Sequence, residues 1–419
     1  MKETVAIILA AGRGTRMISD VPKVLHEILG KPIICHMLDS VKKAGVKKVI
    51  TVAGYGSKAL RESVFGTKIV IQKELLGSGD AVMAAKKEFL KYAGDILILC
   101  GDTPLIPHKV IEELINKHKS TGASATLMTA HVMDPTSYGR IVRDDGGRIV
   151  KIVEEVEARL YEEVINEINV GTYCFRARDL FDALSSITPD NKKKEYFLTD
   201  VVSIMRKKGK LIESVLAKDP DCIVGVNNRV DLAKATKAIK TRILENFMLN
   251  GVTIEDPSST TIYPRVRIGR DTIIHPNTLI ESDVEIGDNC RIGPFTRIRP
   301  NVRIGDNVEV GNFVELVRAY IKNNTRVKHH TYLGDALVGA NVNIGAGTIT
   351  ANYDGKNKNR TVIEDGAFIG VGSILIAPVR IGKNAVVGAG CVVPKGRNVP
   401  KGATVVGVPA RIFKREVKR

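Results

Sequence analysis

Aromatic residues make up only 5% of the 419 residues, and no cysteine lies in a Cys-x-x-Cys pair. Few aromatics, and none interleaved with basic runs, argue against an RNA-binding surface. The cysteines are Cys35, Cys100, Cys174, Cys222, Cys290 and Cys391. Their scatter signals neither a zinc site nor a redox dithiol and fits a reducing cytoplasm. No apolar run reaches the roughly 18 residues of a membrane span. The opening run, Val5 to Leu9, is short and leads straight into Gly12-Arg13-Gly14, so it reads as a buried strand and not as a signal peptide. Two familiar phosphate loops are missing as well. The dinucleotide loop Gly-x-Gly-x-x-Gly fails at Met17, and no Gly-Lys-Ser/Thr ending of a Walker loop occurs.

What is present is positive charge and a glycine loop. The chain has 63 Lys and Arg against 46 Asp and Glu, a net +17, spread along its length. That excess favours an anionic partner, and without a nucleic-acid signature phosphorylated small molecules fit best. Length and 44% hydrophobic content allow two or three domains with ample core. After the first strand comes Leu9-Ala10-Ala11-Gly12-Arg13-Gly14-Thr15-Arg16-Met17, closed by Pro22-Lys23. Glycines let the backbone turn tightly and approach a ligand. Amides at such a turn, opening a helix, bind anions, and Arg13, Arg16 and Lys23 add fixed charge. A plain tight turn is the alternative. The whole string resembles the signature of sugar-nucleotide pyrophosphorylases.

Up to about residue 227, apolar strands (Val5–Leu9, Lys48–Ala53, Ile96–Cys100) alternate with helical stretches (Ile33–Ala44, Ala81–Lys91). This predicts a parallel sheet with crossover helices, a Rossmann-like α/β domain with ligands at the carboxyl ends of the strands. Gln72 to Ala81 ends one strand and opens a helix; its glycines and Ser78 can donate to a base or ribose, though taken alone the stretch reads more readily as an ordinary helix N-terminus capped by Ser78 or Asp80. Asp102 follows Ile96-Leu97-Ile98-Leu99 and is either a turn aspartate before Pro104 or, as the context favours, a hard oxygen ligand for Mg²⁺. Tyr138-Gly139-Arg140, Val153-Glu154, Asn169-Val170-Gly171, Thr199-Asp200 and Gly225-Val226-Asn227 place small or polar groups near further strand ends.

In order and spacing these strings resemble the bacterial bifunctional enzymes that make UDP-N-acetylglucosamine. The resemblance implies that Leu9, Ala10, Ala11 and Gly12 face the uracil and ribose of UTP, with Arg16 and Lys23 on the phosphates and Lys23 catalytic. It implies that Gln72, Gly77 and Ser78 read uracil. Gly139, Glu154 and Asn169 would hold N-acetylglucosamine-1-phosphate, and Asp102 and Asn227 would bind Mg²⁺.

Leu232, Ala235, Ile239, Ile243 and Phe247 recur at helical steps, stopped by Asn250-Gly251. The expected organisation is a nucleotidyltransferase domain over 1–227, a linker helix over 228–255, and a second domain over 256–419. In that second domain an aliphatic residue recurs at every sixth position from Ile262 to Val310. The rhythm resumes at Ile321, Val327 and Leu333, slips by one residue to Val338 and Ile344, and returns from Ile363 to Val393. Such hexapeptide periodicity marks a β-helix, left-handed in this family, three hexapeptides to a triangular coil. Its flat faces and open ends, with the family pattern, imply a homotrimer.

Two stretches break the rhythm: Arg326 to Asp335, which holds adjacent histidines, and the polar loop Asn352 to Lys358. Acyl transfer to an amine needs a base, and histidine, titrating near pH ~6.5, supplies one. The string resembles the acetyltransferase half of the same enzymes, which acetylates glucosamine-1-phosphate from acetyl-CoA. The resemblance makes His329 the base, puts Arg299 on the sugar phosphate, and lines the sugar and acetyl positions with Tyr332, Asn343, Asn352, Tyr353 and Lys358, with Ala389 near CoA. Three positions depart from the family pattern: Val317 stands for a phosphate-binding Lys, Val371 for a Ser near the acetyl group, and Gly407 for an Arg. The chain is thus read as a cytoplasmic, Mg²⁺-dependent bifunctional enzyme of cell-wall or surface-glycan synthesis, with neither nucleic acid nor membrane as partner. Two alternatives stay open: a uridylyltransferase whose β-helix only trimerises, and a nucleotidyltransferase for another sugar phosphate.

Overall fold

A computed structural model describes residues 3–413. The chain divides into two compact units, the first ending at Thr236 and the second beginning at Lys237, within the helix Arg229–Leu249.

The first unit is built on one sheet. Its main path runs Ile212–Leu216, Ala125–His131, Glu167–Arg176, Asp95–Cys100, Thr4–Ala10, Lys48–Ala53 and Lys68–Ile71. Alternate residues of each strand enter opposite cores. Ala6, Ile8, Leu97 and Leu99 pack with Ile34, Met37, Ile111 and Leu114 of the helices Ile33–Lys43 and His108–Thr121. Val5, Ile7, Ile96 and Ile98 pack on the other face with Val82, Leu180, Val201 and Met205. Helices on both faces of the sheet give the Rossmann-like α/β arrangement.

The sheet is mixed where the alternation predicts an all-parallel one. Glu167–Arg176 runs antiparallel to both of its neighbours. The chain returns from Ala125–His131 through the hairpin Arg140–Arg143 and Ile149–Val153, and no crossover helix intervenes to restore direction. A second difference lies after Gln72. The helix spans Ser78–Ala84, and a 3-10 turn, Lys86–Phe89, replaces the rest of the expected 81–91 helix.

The second unit is a parallel β-helix of the left-handed type. Three sheets of 10, 8 and 7 strands form the faces of a triangular prism. Inward residues stack in register, Ile274 on Ile292 on Val310 on Val327, and Ile280 on Ile298 on Leu316 on Leu333. Each is fully buried. Corners follow the same beat. Arg265, Asp271, Asn277, Asp283, Asn289, Phe295, Asn301, Asn307 and Phe313 all have positive φ. Asn and Asp tolerate this conformation best among residues with a Cβ, so they fill most of these places. Successive coils are offset by 18 residues, as in the Arg265–Asp283 pair. Two sides are one residue short, at Arg318 and at Asp335, so these two residues are offset by 17. The periodicity shows the second shortening as the slip before Val338; the first lies unmarked before Ile321.

Charged ladders cover the outside: Arg265–Asp283, Arg297–Glu281 and Lys328–Glu309. Exposed pairs of this kind contribute about 0–1 kcal/mol each, so the stacked aliphatics carry the stability of the unit. Among the described residues no helix is long and apolar enough to cross a membrane.

Truncating the inward Ile298 to Ala should therefore destabilise this unit by about 2–5 kcal/mol, whereas Arg303→Ala on the outside should cost less than about 1 kcal/mol. Denaturant unfolding of the two variants checks this; equal losses would contradict it.

Candidate functional site

The first unit gathers its polar groups at the carboxyl ends of its parallel strands. Thr4–Ala10 ends in the glycine loop, and Gly101 donates its amide to Leu9 O at 2.9 Å, which sets Asp102 beside that loop. The loop does not open an α-helix as expected. Thr15–Met17 and Lys23–Leu25 form two 3-10 turns, and the first α-helix begins only at Ile33. The loop therefore presents side-chain charge and loop amides, and no α-helix terminus, at this point.

The second turn delivers Lys23. Its ammonium is in contact with the Asp102 carboxylate and lies 3.2 Å from Asn227 Oδ1. Arg16 Nη2 reaches the same Oδ1 at 3.0 Å. Val226 donates its amide to Asp102 O at 2.8 Å, locking the Asn227 loop onto the end of the Asp95–Cys100 strand. Asp231 holds that loop from the far side by accepting Asn227 N at 3.0 Å. Four residues distant in sequence, Arg16, Lys23, Asp102 and Asn227, therefore meet at one point. Gly14 is required there. Its φ is +65°, and a Cβ would lie 2.5 Å from Lys23 Cβ.

The donor set fits a hard divalent cation. Asp102 and Asn227 present a carboxylate and an amide oxygen, and Lys23 occupies the space between them as a cation would. Among the described residues no group of three or more His, Cys, Asp or Glu could enclose a metal, so other ligands would come from substrate phosphates and water.

The remaining expected residues are held by partners that the sequence did not reveal. Gln72 is buried, and its Nε2 donates to Asp80 Oδ2 at 2.7 Å and to Gly77 O at 3.1 Å. Gly77 is in positive φ against Tyr196, and Ser78 Oγ accepts Leu198 N at 3.0 Å. Glu154 Oε1 accepts the Thr199 hydroxyl at 2.8 Å. Burial and the nearby Glu154 push the Asp200 carboxyl above its ordinary range. Asn169 Nδ2 donates to Tyr173 Oη at 2.7 Å, and Asn169 N to Gly139 O at 2.8 Å. Leu9 is half-buried and Ala10 and Ala11 are buried, while the Gly12 Cβ direction is open space.

The second unit assembles a different site around one corner. In successive coils the positive-φ corner residue donates its amide to the residue just before the corner one coil back: His330 to Asn312, Gly347 to His329, Gly372 to Ala346, Gly390 to Val371. Asn312, His329, Ala346, Val371 and Ala389 therefore form one column along a prism edge. His329 is exposed at the end of the strand Arg326–His329. His330 is turned away, stacked on Phe313 with ring centroids 5.1 Å apart, and Phe313 stacks on Phe295 at the same distance. Asn343 lies in the same sheet, paired with Arg326.

On the adjacent face, Arg299 Nη1 lies 3.4 Å from Glu315, which pairs in register with Tyr332. Arg299 Nε is buried without a partner among the described residues. The polar loop folds on itself: Tyr353 bridges Lys358, and Asp354 accepts the amides of Asn357 and Lys356 at 2.7 and 3.0 Å. Those amides pull the Asp354 carboxyl down to about 2. Asn352 is tied by its Nδ2 to Asp335 Oδ2 at 2.5 Å. Arg318 grips Asp335 in two-point contact, 2.6 and 2.8 Å, and holds that carboxyl below its usual range. The pair sits at the two short sides, where sequence offered only a broken rhythm as a signal.

Residues 5–222 match the family model of nucleotidyl transferases, and residues 283–318 and 360–395 match that of the bacterial transferase hexapeptide, six repeats. The chain is 43% identical over 420 residues to the bifunctional protein GlmU of Carboxydothermus hydrogenoformans, covering 92% of this chain and 93% of that protein. It is 43% identical over 429 residues to that of Heliobacterium modesticaldum, covering 94% of each. Listeria monocytogenes serotype 4a has a similar protein, 40% identical over 94% of both chains.

Gly14→Ala should displace Lys23 from Asp102 and Asn227. Pyrophosphate release from a nucleoside triphosphate and a sugar phosphate should fall by about tenfold or more. An unchanged rate would show that the Lys23 position is not critical.

Proposed function

The chain belongs to the GlmU family of bifunctional proteins, and from that premise we propose how its residues divide the two reactions of UDP-N-acetylglucosamine synthesis. Acetyl-CoA acetylates the amine of glucosamine-1-phosphate at the β-helix, and the first unit transfers uridylyl from UTP to N-acetylglucosamine-1-phosphate with release of pyrophosphate. The meeting of Arg16, Lys23, Asp102 and Asn227 at one point is the observation that carries the first assignment.

In uridylyl transfer a phosphate oxygen of the sugar phosphate attacks the α-phosphorus of UTP, and the bond to the pyrophosphate oxygen breaks. That oxygen is already ionised near neutral pH, so no general base is needed. The work left to the protein is positioning and charge neutralisation. Lys23 and Arg16 hold the phosphates. A divalent cation such as Mg²⁺, held by Asp102 and Asn227, would supply further neutralisation when bound. Leu9 to Gly12, Gln72, Gly77 and Ser78 receive the nucleoside, Gln72 having its orientation fixed by Asp80. Gly139, Glu154 and Asn169 face the sugar.

In acetyl transfer His329 takes a proton from the amine as its lone pair attacks the thioester carbonyl. The carbon–sulfur bond then breaks, and CoA leaves as the thiol. Arg299 binds the sugar phosphate, and Tyr332, Asn343, Asn352, Tyr353 and Lys358 enclose the sugar. Val371 and Ala389, small residues in the His329 column, leave room for the CoA arm. Three copies assemble through the β-helix. The exposed Phe295, Phe313, Phe368 and Ile374 support this by giving the prism apolar surface to bury.

Asp102→Ala should reduce pyrophosphate release by about 100-fold or more while thiol release persists. His329→Ala should do the reverse, by about 10²–10⁴-fold. Loss of both activities in either variant would refute independent sites.

A further inference from the structure

Aspartate and asparagine side chains repeat one task along the corners of the β-helix. Asp288 Oδ1 accepts the amide of Arg270 at 2.7 Å, and Asp306 Oδ1 that of Asp288 at 2.9 Å. Asn323 Oδ1 accepts Asp306 N at 3.1 Å, and Asp365 Oδ1 accepts Ala340 N at 2.9 Å. Each acceptor stands two residues after an inward aliphatic and takes the N–H of its counterpart one coil earlier.

Asn312 occupies the same place, two residues after the inward Val310. Ile292 pairs with Val310, so the counterpart of Asn312 one coil earlier is Pro294, which has no N–H. Asn312 Oδ1 is accordingly buried with no partner among the described residues. Such an acceptor is unfavourable and calls for a donor. On its other side Asn312 pairs in register with His329. The exposed imidazole of His329 has no side-chain partner among the described residues, and it is the neighbour in this column able to donate.

We propose that Asn312 is a positioning residue for His329. Its side-chain carbonyl accepts one ring N–H of the imidazole, which fixes the tautomer and leaves the other ring nitrogen to take the amine proton. Pro294, by withholding a backbone donor, leaves Asn312 available for this. The assignment rests on His329 being the base of acetyl transfer.

The test is kcat for thiol release against pH in the full-length protein, with the thermal unfolding of the β-helix unit relative to wild type as the measure of folding. Asn312→Val should lower kcat about tenfold or more, the size typical of lost orienting partners. Asn312→Asp should retain activity but move the acidic limb up by about one pH unit, because a carboxylate stabilises the imidazolium. Pro294→Ala should also lower kcat, its new N–H competing for Asn312. If His329→Ala is inactive but Asn312→Val is as fast as wild type, the Asn312 assignment is overturned alone. An unshifted limb in Asn312→Asp overturns it equally, since a merely structural role slows the enzyme without moving the limb. An active His329→Ala overturns the base and this assignment together. Should Asn312→Val fail to fold, the Asn312→Asp profile decides.

Discussion

Most sides of a β-helix coil close on a residue whose backbone is left-handed, and the next coil must close above it. This steric requirement carries register from coil to coil over the whole second unit. A slip of one residue would turn inward aliphatics to solvent and outward charges into the core. Register then decides which side chains share an edge. His329, Ala346, Val371 and Ala389 come into one column because corner amides bind one coil back at every step. The candidate site of the second unit lies where the beat falters. Arg318 and Asp335 mark the two short sides, they clasp each other, and Asp335 ties down Asn352 at the mouth of the inserted loop.

The first unit solves a different problem, holding groups of both charge signs close together at one point. Lys23 lies between Asp102 and Asn227, so cationic and anionic groups keep one another in place. In the proposed reaction, phosphates beside Lys23 and Arg16 would exchange these contacts for their own. Groups further out are steadied by neighbours: Thr199 on Glu154, Tyr173 on Asn169, Asp80 on Gln72. Burial drives the Tyr173 hydroxyl to a raised pKa, so it stays a neutral partner to Asn169.

Much of this was legible in the residues. Six-residue periodicity names the β-helix because a core position recurs at a fixed step, and the glycine loop with Pro22-Lys23 identifies the first domain. Local reading fails where direction depends on a distant partner. Nothing in Glu167 to Arg176 says that the strand runs antiparallel, since periodicity is blind to polarity. Nothing near Arg13-Gly14 distinguishes two 3-10 turns from an α-helix. The holding residues were harder still. Asp335 and Arg318, or Asn312 and Pro294, are related through an offset of about one coil, which becomes meaningful only once coil length is known. The departures at Val317, Val371 and Gly407 were visible from the start, and two of them, Val371 and Gly407, fall near the His329 edge.

In the proposed division of labour, one chain performs two successive reactions at separate sites. The direct measurement supplies glucosamine-1-phosphate, acetyl-CoA and UTP together with Mg²⁺ and follows thiol and pyrophosphate in the same sample. Thiol should appear first, pyrophosphate should follow after a lag, and the two totals should become equal. Pyrophosphate release with no thiol above the no-enzyme background would contradict it, leaving the β-helix as a scaffold only.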